Sequence, residues 1–164
     1  MTRRNTIARM RALSTKPEHR YWTMRVDGSP WLVLTDGVGF IAIQASDPAA
    51  GAPTPAAKRW ISTALKLAGN GSKRVARNTI DRWLLQCPRK LDSGYLIGMV
   101  DAHAFDRKAV RRWLDLMPGA TFDVWLRKHS LGPALMVRAP GALIGVMSML
   151  SEAKGPVLHL RSKP

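Results

Sequence analysis

Residues 21–43 constrain the fold most. Three short β-rich runs, 21–26, 31–35 and 38–43, are separated by the pairs Asp27-Gly28 and Asp36-Gly37. Asp and Gly supply the backbone conformations that tight hairpin turns require, so this stretch predicts an antiparallel meander. A second meander is expected over 121–127, 134–139 and 143–149, broken by Gly132-Pro133 and Pro140-Gly141.

Each meander follows a stretch of helical period. Over 2–13, Thr2 is placed to cap a helix whose Ile7, Met10 and Leu13 recur along one side. Over 106–117, Asp106 is the cap, Ala109, Val110, Trp113, Leu114 and Met117 form the apolar stripe, and Lys108, Arg111 and Arg112 lie opposite. The two ends of the chain thus share one pattern without shared identity. Between them, a Pro-rich connector at 46–54 leads to two expected helices. One runs over 55–68. The other runs over 72–85, with Ser72 as its cap and Lys73, Arg74, Arg77 and Asn78 near its start. A strand is expected over 95–104 and a short one over 157–160. The expected class is α+β: two pseudo-symmetric units of helix plus antiparallel β-meander with a helical insert. The 164 residues suit a single domain, 1–164, divided as 2–45, 46–90 and 91–164.

Composition narrows the partners. Lys and Arg number 26 against 11 Asp and Glu, a formal charge of +15. Residues 55–90 hold nine basic residues against Asp81 alone, whereas 21–54 hold only Arg25 against Asp27, Asp36 and Asp47. A charge this large on a small domain points to a polyanion, and nucleic acid is the commonest one. The polar start and the absence of a long apolar run predict neither a secretory signal nor a membrane span. A cytoplasmic protein is expected, nucleoid-associated or encoded by a phage or mobile element. One cysteine, Cys87, excludes an internal disulfide framework and reads as a small buried residue.

Catalytic patterns are weak. Asp101 and His103 on one strand, with Asp106 nearby, are the best metal-ligating set, yet further carboxylates are lacking and Asp106 is explained as a cap. No Gly-x-x-x-x-Gly-Lys-Ser/Thr phosphate loop occurs. No enzyme activity, cofactor or metal is expected. Of the six tryptophans, Trp60, Trp83 and Trp113 fall on apolar stripes and read as core, and Trp22 is the best exposed candidate for stacking on a base.

The order of elements resembles a DNA sliding-clamp domain, as in the bacterial polymerase III beta clamp and the proliferating cell nuclear antigen. The stretch Trp31-Leu-Val-Leu-Thr-Asp-Gly-Val-Gly-Phe-Ile-Ala-Ile43 is similar to a clamp strand that runs into Thr-Asp-Gly and returns. Residues 105–116 resemble the clamp's inner helix, and 143–150 its last apolar strand. The insert at 46–90 has no clamp counterpart, and Met147-Ser148 replaces the usual Met-Pro ending. The resemblance implies two helices side by side on a DNA-facing surface, with Arg3, Arg4 and Arg11 joining Lys108, Arg111 and Arg112. It also implies a homo-oligomer and replication proteins as partners. Contacts of this kind are to phosphates, independent of sequence, and six of them imply a log–log salt slope of about −5 on duplex DNA. RNA stays open as the nucleic acid. Two other readings accompany this one: a sequence-specific regulator reading DNA through 72–85 with Lys73, Arg74 and Arg77, and a module that meets an acidic protein.

Overall fold

The computed structural model describes residues 2–66, 72–87, 97–150 and 154–160. The fold is mixed α+β. Strands β1 (Arg20–Val26), β2 (Ser29–Thr35) and β3 (Gly39–Ile43) form the first meander; β7 (Thr121–Arg127), β8 (Ala134–Ala139) and β9 (Ala142–Met147) form the second. With β4 (Lys73–Ala76) they make one seven-stranded antiparallel sheet in the order β1-β2-β3-β9-β8-β7-β4. The meanders meet through β3 and β9, with Ile41 opposite Ile144. Asp27 and Gly28 both take positive φ, 49° and 80°, as a two-residue turn requires, and Val26 pairs with Ser29. The Asp36 turn is held differently: its Oδ1 accepts the backbone N–H of Val38 at 3.0 Å and of Gly39 at 2.9 Å.

Both faces of the sheet are apolar, because helices cover both. On one face Leu32, Leu34, Ile41, Ile43, Val137 and Ile144 pack against α1 (Arg3–Leu13), α3 (Arg77–Gln86) and α4 (Arg107–Leu114). On the other, Met24, Val33, Ala42, Met136 and Leu143 pack against α2 (Pro55–Lys66). That is why β3 is buried at every position instead of alternating. A three-stranded sheet, β10 (Val157–Leu158), β5 (Ile97–Val100) and β6 (His103–Asp106), lies beside the helical layer, with β10 parallel to β5.

Three local expectations are corrected. Residues 73–76 form a strand, not the first turn of a helix: Val75 pairs opposite Phe122, and β4 satisfies the otherwise unpaired backbone of β7. Helix α3 therefore begins at Arg77, and Ser72 does not cap it. The strand expected over 95–104 is a hairpin, β5 and β6, whose turn holds Asp101 at φ 49°; Tyr95 and Leu96 lie outside the described residues. Helix α4 stops three residues early, where the N–H groups of Leu116 and Met117 bond to the carbonyls of Trp113 and Leu114 and tighten the last turn. The expected continuation of α2 through Ala68 lies outside the described residues.

Thr2 and Asp106 act as the expected caps, accepting from the N–H of Asn5 at 3.4 Å and of Lys108 at 3.1 Å. Each meander follows a helix on the same sheet face. The halves differ beyond that: only the second carries an extra edge strand, β4, and a hairpin before its helix.

Candidate nucleic-acid interface

Helices α1, α3 and α4 converge at the C-terminal end of α4. The hydroxyl of Thr6 donates to the carbonyl of Leu116 at 3.1 Å, and the Arg9 guanidinium to that of Asp115 at 3.1 Å. From α3, Arg77 donates to the carbonyls of Met117 at 2.8 Å and Leu114 at 3.0 Å. The carbonyls of Asp115, Leu116 and Met117 lie beyond the last residue of the helix, and a cation at a helix C-terminus is also favoured by the helix dipole. The three helices therefore form one layer, and of the expected site residues Arg4, Lys108, Arg111 and Arg112 are exposed on it.

The structure sorts those residues by what they touch. Arg11 donates through Nε at 2.9 Å and Nη2 at 2.8 Å to one carboxylate oxygen of Asp47, a buried residue. The Tyr21 hydroxyl donates to the same oxygen at 2.7 Å. Hydrogen bonds from Tyr21, the Ala49 N–H and Arg11 hold the Asp47 carboxyl below the usual range, and burial pushes the Tyr21 phenol up. Arg11 thus fastens α1 to the connector after β3. Arg77 is spent on the end of α4, and its guanidinium also lies 5.9 Å from the centre of the Phe122 ring.

On α4 itself, Arg111 bridges Asp81 of α3 at 3.5 Å and Asp115 at 3.0 Å, and Arg112 pairs with Asp36 in the β2–β3 turn. Both arginines remain exposed. The pairs of Arg111 are solvent-accessible on both sides and contribute at most about 1 kcal/mol, so a phosphate competes readily for Arg111, whereas the Asp36 carboxylate that holds Arg112 is itself nearly buried. Lys108 and Arg4 are exposed and have no carboxylate partner among the described residues. Arg3 lies at the other end of α1, its guanidinium against the Pro140-Gly141 turn. The layer also includes two cations that the helical pattern did not single out. Arg82 is exposed on α3; Arg9 sits between α1 and α4. Arg82 was legible as a residue facing away from the apolar stripe of Ile80, Trp83 and Leu84.

Lys73 and Arg74 are placed apart from this surface. They belong to the edge strand β4, where Lys73 donates to the carbonyl of His159 at 3.0 Å and Arg74 stands 4.0 Å from Asp123. With Arg77 turned inward, the three residues proposed to read bases from a helix over 72–85 do not share a helical face.

Among the tryptophans, Trp22 is buried at 6% exposure, so the expectation that it stands out for stacking is wrong; its β1 position faces α2. Trp83 and Trp113 are core. Trp60, like Trp31, is only partly buried. Cys87 is buried, and burial pushes its thiol up. Asp101 sits in the turn between β5 and β6 and accepts the N–H of Leu160 at 2.8 Å, so it does not share a strand face with His103. Among the described residues no three His, Cys, Asp or Glu side chains gather as a metal site, and no helix is long and apolar enough to cross a membrane.

Comparisons with protein-family models, with curated proteins and with solved structures find no match for this chain.

Proposed function

We propose that this is a non-catalytic, largely sequence-independent DNA-binding protein that presents the layer of α1, α3 and α4 to the phosphate backbone. The observation that carries this reading is the convergence of three basic helices on one sheet face. Arg4, Arg9, Arg82, Lys108, Arg111 and Arg112 are brought into a single layer from segments far apart in sequence. Acids are interleaved with them, yet the whole chain keeps a charge of +15, and the self-repulsion this creates is relieved by a polyanion. Guanidinium and ammonium groups on a helical surface meet phosphate oxygens without reading base edges.

The test is the affinity for duplexes of unrelated sequence at several salt concentrations. Equal affinities that fall steeply with salt support the reading; a strong preference for one sequence supports a regulator instead. An RNA duplex run alongside decides between the two nucleic acids. Absence of binding to any nucleic acid at low salt leaves the acidic-protein partner as the better reading. A clamp-like accessory role in replication or recombination extends the same proposal, because two helix-plus-meander units lie side by side in one sheet. That extension requires a closed oligomer, and light scattering reads it directly: a hexamer supports it, a monomer contradicts it.

A further inference from the structure

The opposite face of the sheet carries a separate feature. Between α2 and the strands, an open cleft of about 400 Å³ is lined by Trp22, Phe40, Trp60, Ile61, His129 and Leu131. A neighbouring recess shares Ala56 and Trp60 with it and adds Arg59, Thr63 and Arg127. Trp60 therefore stands between an apolar hollow and a basic one. Phe40 meets its ring edge-on at 5.3 Å between centroids, His129 does so at 5.7 Å, and the Arg127 guanidinium carbon lies 4.8 Å from the ring centre.

Two details exceed what packing requires. Arg127 is partly buried and donates to the carbonyl of Trp60 at 3.3 Å, but no carboxylate among the described residues pairs with it; burial lowers its pKa. A cation withdrawn from water without a counter-ion favours an anion that arrives from outside. At the rim of the hollow, Leu131 and Val38 are 78% and 50% exposed, so apolar surface stands open beside that cation. Arg59 adds exposed positive charge to the same recess, while Asp27 of the β1–β2 turn, the acid that reaches α2, is paired with Lys66 at 3.1 Å.

We propose that this face binds single-stranded nucleic acid, with one unstacked base in the hollow beside Trp60 and the adjoining phosphate on Arg127 and Arg59. A base has an apolar π-face that aromatic side chains accept whatever its identity, and a phosphate offers paired oxygens to a guanidinium fork. A duplex keeps its bases stacked and paired, so the hollow selects single strands. The inference rests on the reading that the protein binds nucleic acid, but it uses the face opposite the helical layer, and the two are separable by experiment.

The experiment measures binding of a labelled oligothymidylate of about 12 nucleotides and of a mixed-sequence duplex to the wild type, Arg127→Gln and Trp60→Leu. The expected result is a loss of about tenfold or more in oligothymidylate affinity for each variant, with duplex affinity unchanged. Arg127→Gln keeps the Trp60 ring and reports on the site even where Trp60→Leu loosens α2. Oligothymidylate binding that neither variant weakens overturns the inference and leaves the helical layer as the site for both. Duplex binding without oligothymidylate binding overturns the inference alone; no binding of either overturns both readings. Displacement of a bound single strand is expected from unlabelled oligothymidylate. Binding of laurate to the hollow in a wild type that ignores oligothymidylate assigns the cleft to apolar anions and overturns the nucleic-acid assignment.

Discussion

Arg77 closes the C-terminal end of α4 by donating to the carbonyl of Met117 at 2.8 Å, a contact between residues 40 positions apart. The same guanidinium reaches Leu114 at 3.0 Å. The Met117 carbonyl lies beyond the end of the helix, and the Leu114 carbonyl also accepts the Met117 N–H at 3.0 Å. Replacing Arg77 with Met removes two charge-assisted hydrogen bonds and is expected to cost about 1.5–3 kcal/mol of stability. Thermal or denaturant unfolding checks this, with Arg82→Met, an exposed neighbour on α3, expected to stay within about 0.5 kcal/mol of wild type.

Asp47 sets an acid limit on stability. Its carboxyl is held below the unfolded carboxylate value by Tyr21, Ala49 and Arg11. A group whose folded pKa is depressed contributes stability that is complete above its unfolded pKa, about 3.9, and lost as pH falls through the folded value. The melting temperature is therefore expected to fall below about pH 4. Asp47→Asn should melt lower than wild type at neutral pH, with a shallower decline in acid. Melting curves across pH 2–7, a range chosen to bracket that value, read both effects.

Gly39 is required for close approach and not for an unusual turn. A Cβ there would collide with the indole of Trp113 and stand 2.9 Å from the carbonyl oxygen of Gly145. Trp113 is fully buried and Gly145 is backbone on β9, so neither yields easily. Gly39→Ala is expected to destabilise by about 1–3 kcal/mol. Gly51→Ala is the control: its Cβ would meet only the Tyr21 carbonyl oxygen, at 3.6 Å, and the melting temperature should hardly change.

The meanders were legible because their turns are local. Asp27-Gly28 and Gly132-Pro133 encode their own chain reversals, and the alternating runs follow. The strand β4 was not legible, because the residues 73–76 carry no strong strand preference and are extended only by pairing with β7, some fifty positions further on. The hairpin turn at Asp101 was missed for a similar reason: Asp-Ala is a poor turn signal, and the conformation is imposed by the ladder of β5 and β6. The charge of the helices was plain in the sequence, but its pairing was not. Arg11 meets Asp47 at a separation of 36 residues, Arg111 meets Asp81 at 30, and Arg112 meets Asp36 at 76. Sequence pattern placed Trp60 in the core and Trp22 outside; Trp22 is buried because β1 turns it beneath α2, and Trp60 packs against the same core but is only partly covered.

The helical layer is tested most directly by the salt dependence of duplex binding in wild type and in a triple variant, Arg4→Ala, Arg82→Ala and Lys108→Ala. None of the three has a carboxylate partner among the described residues, so the substitutions strip charge without breaking an ion pair among them. Each phosphate contact contributes about 0.9 to the slope of log affinity against log salt. The account predicts a wild-type slope of about −5, the same on unrelated duplexes, and a slope shallower by about 2.7 in the triple variant. A slope unchanged by the three substitutions, with melting temperatures equal, would contradict it.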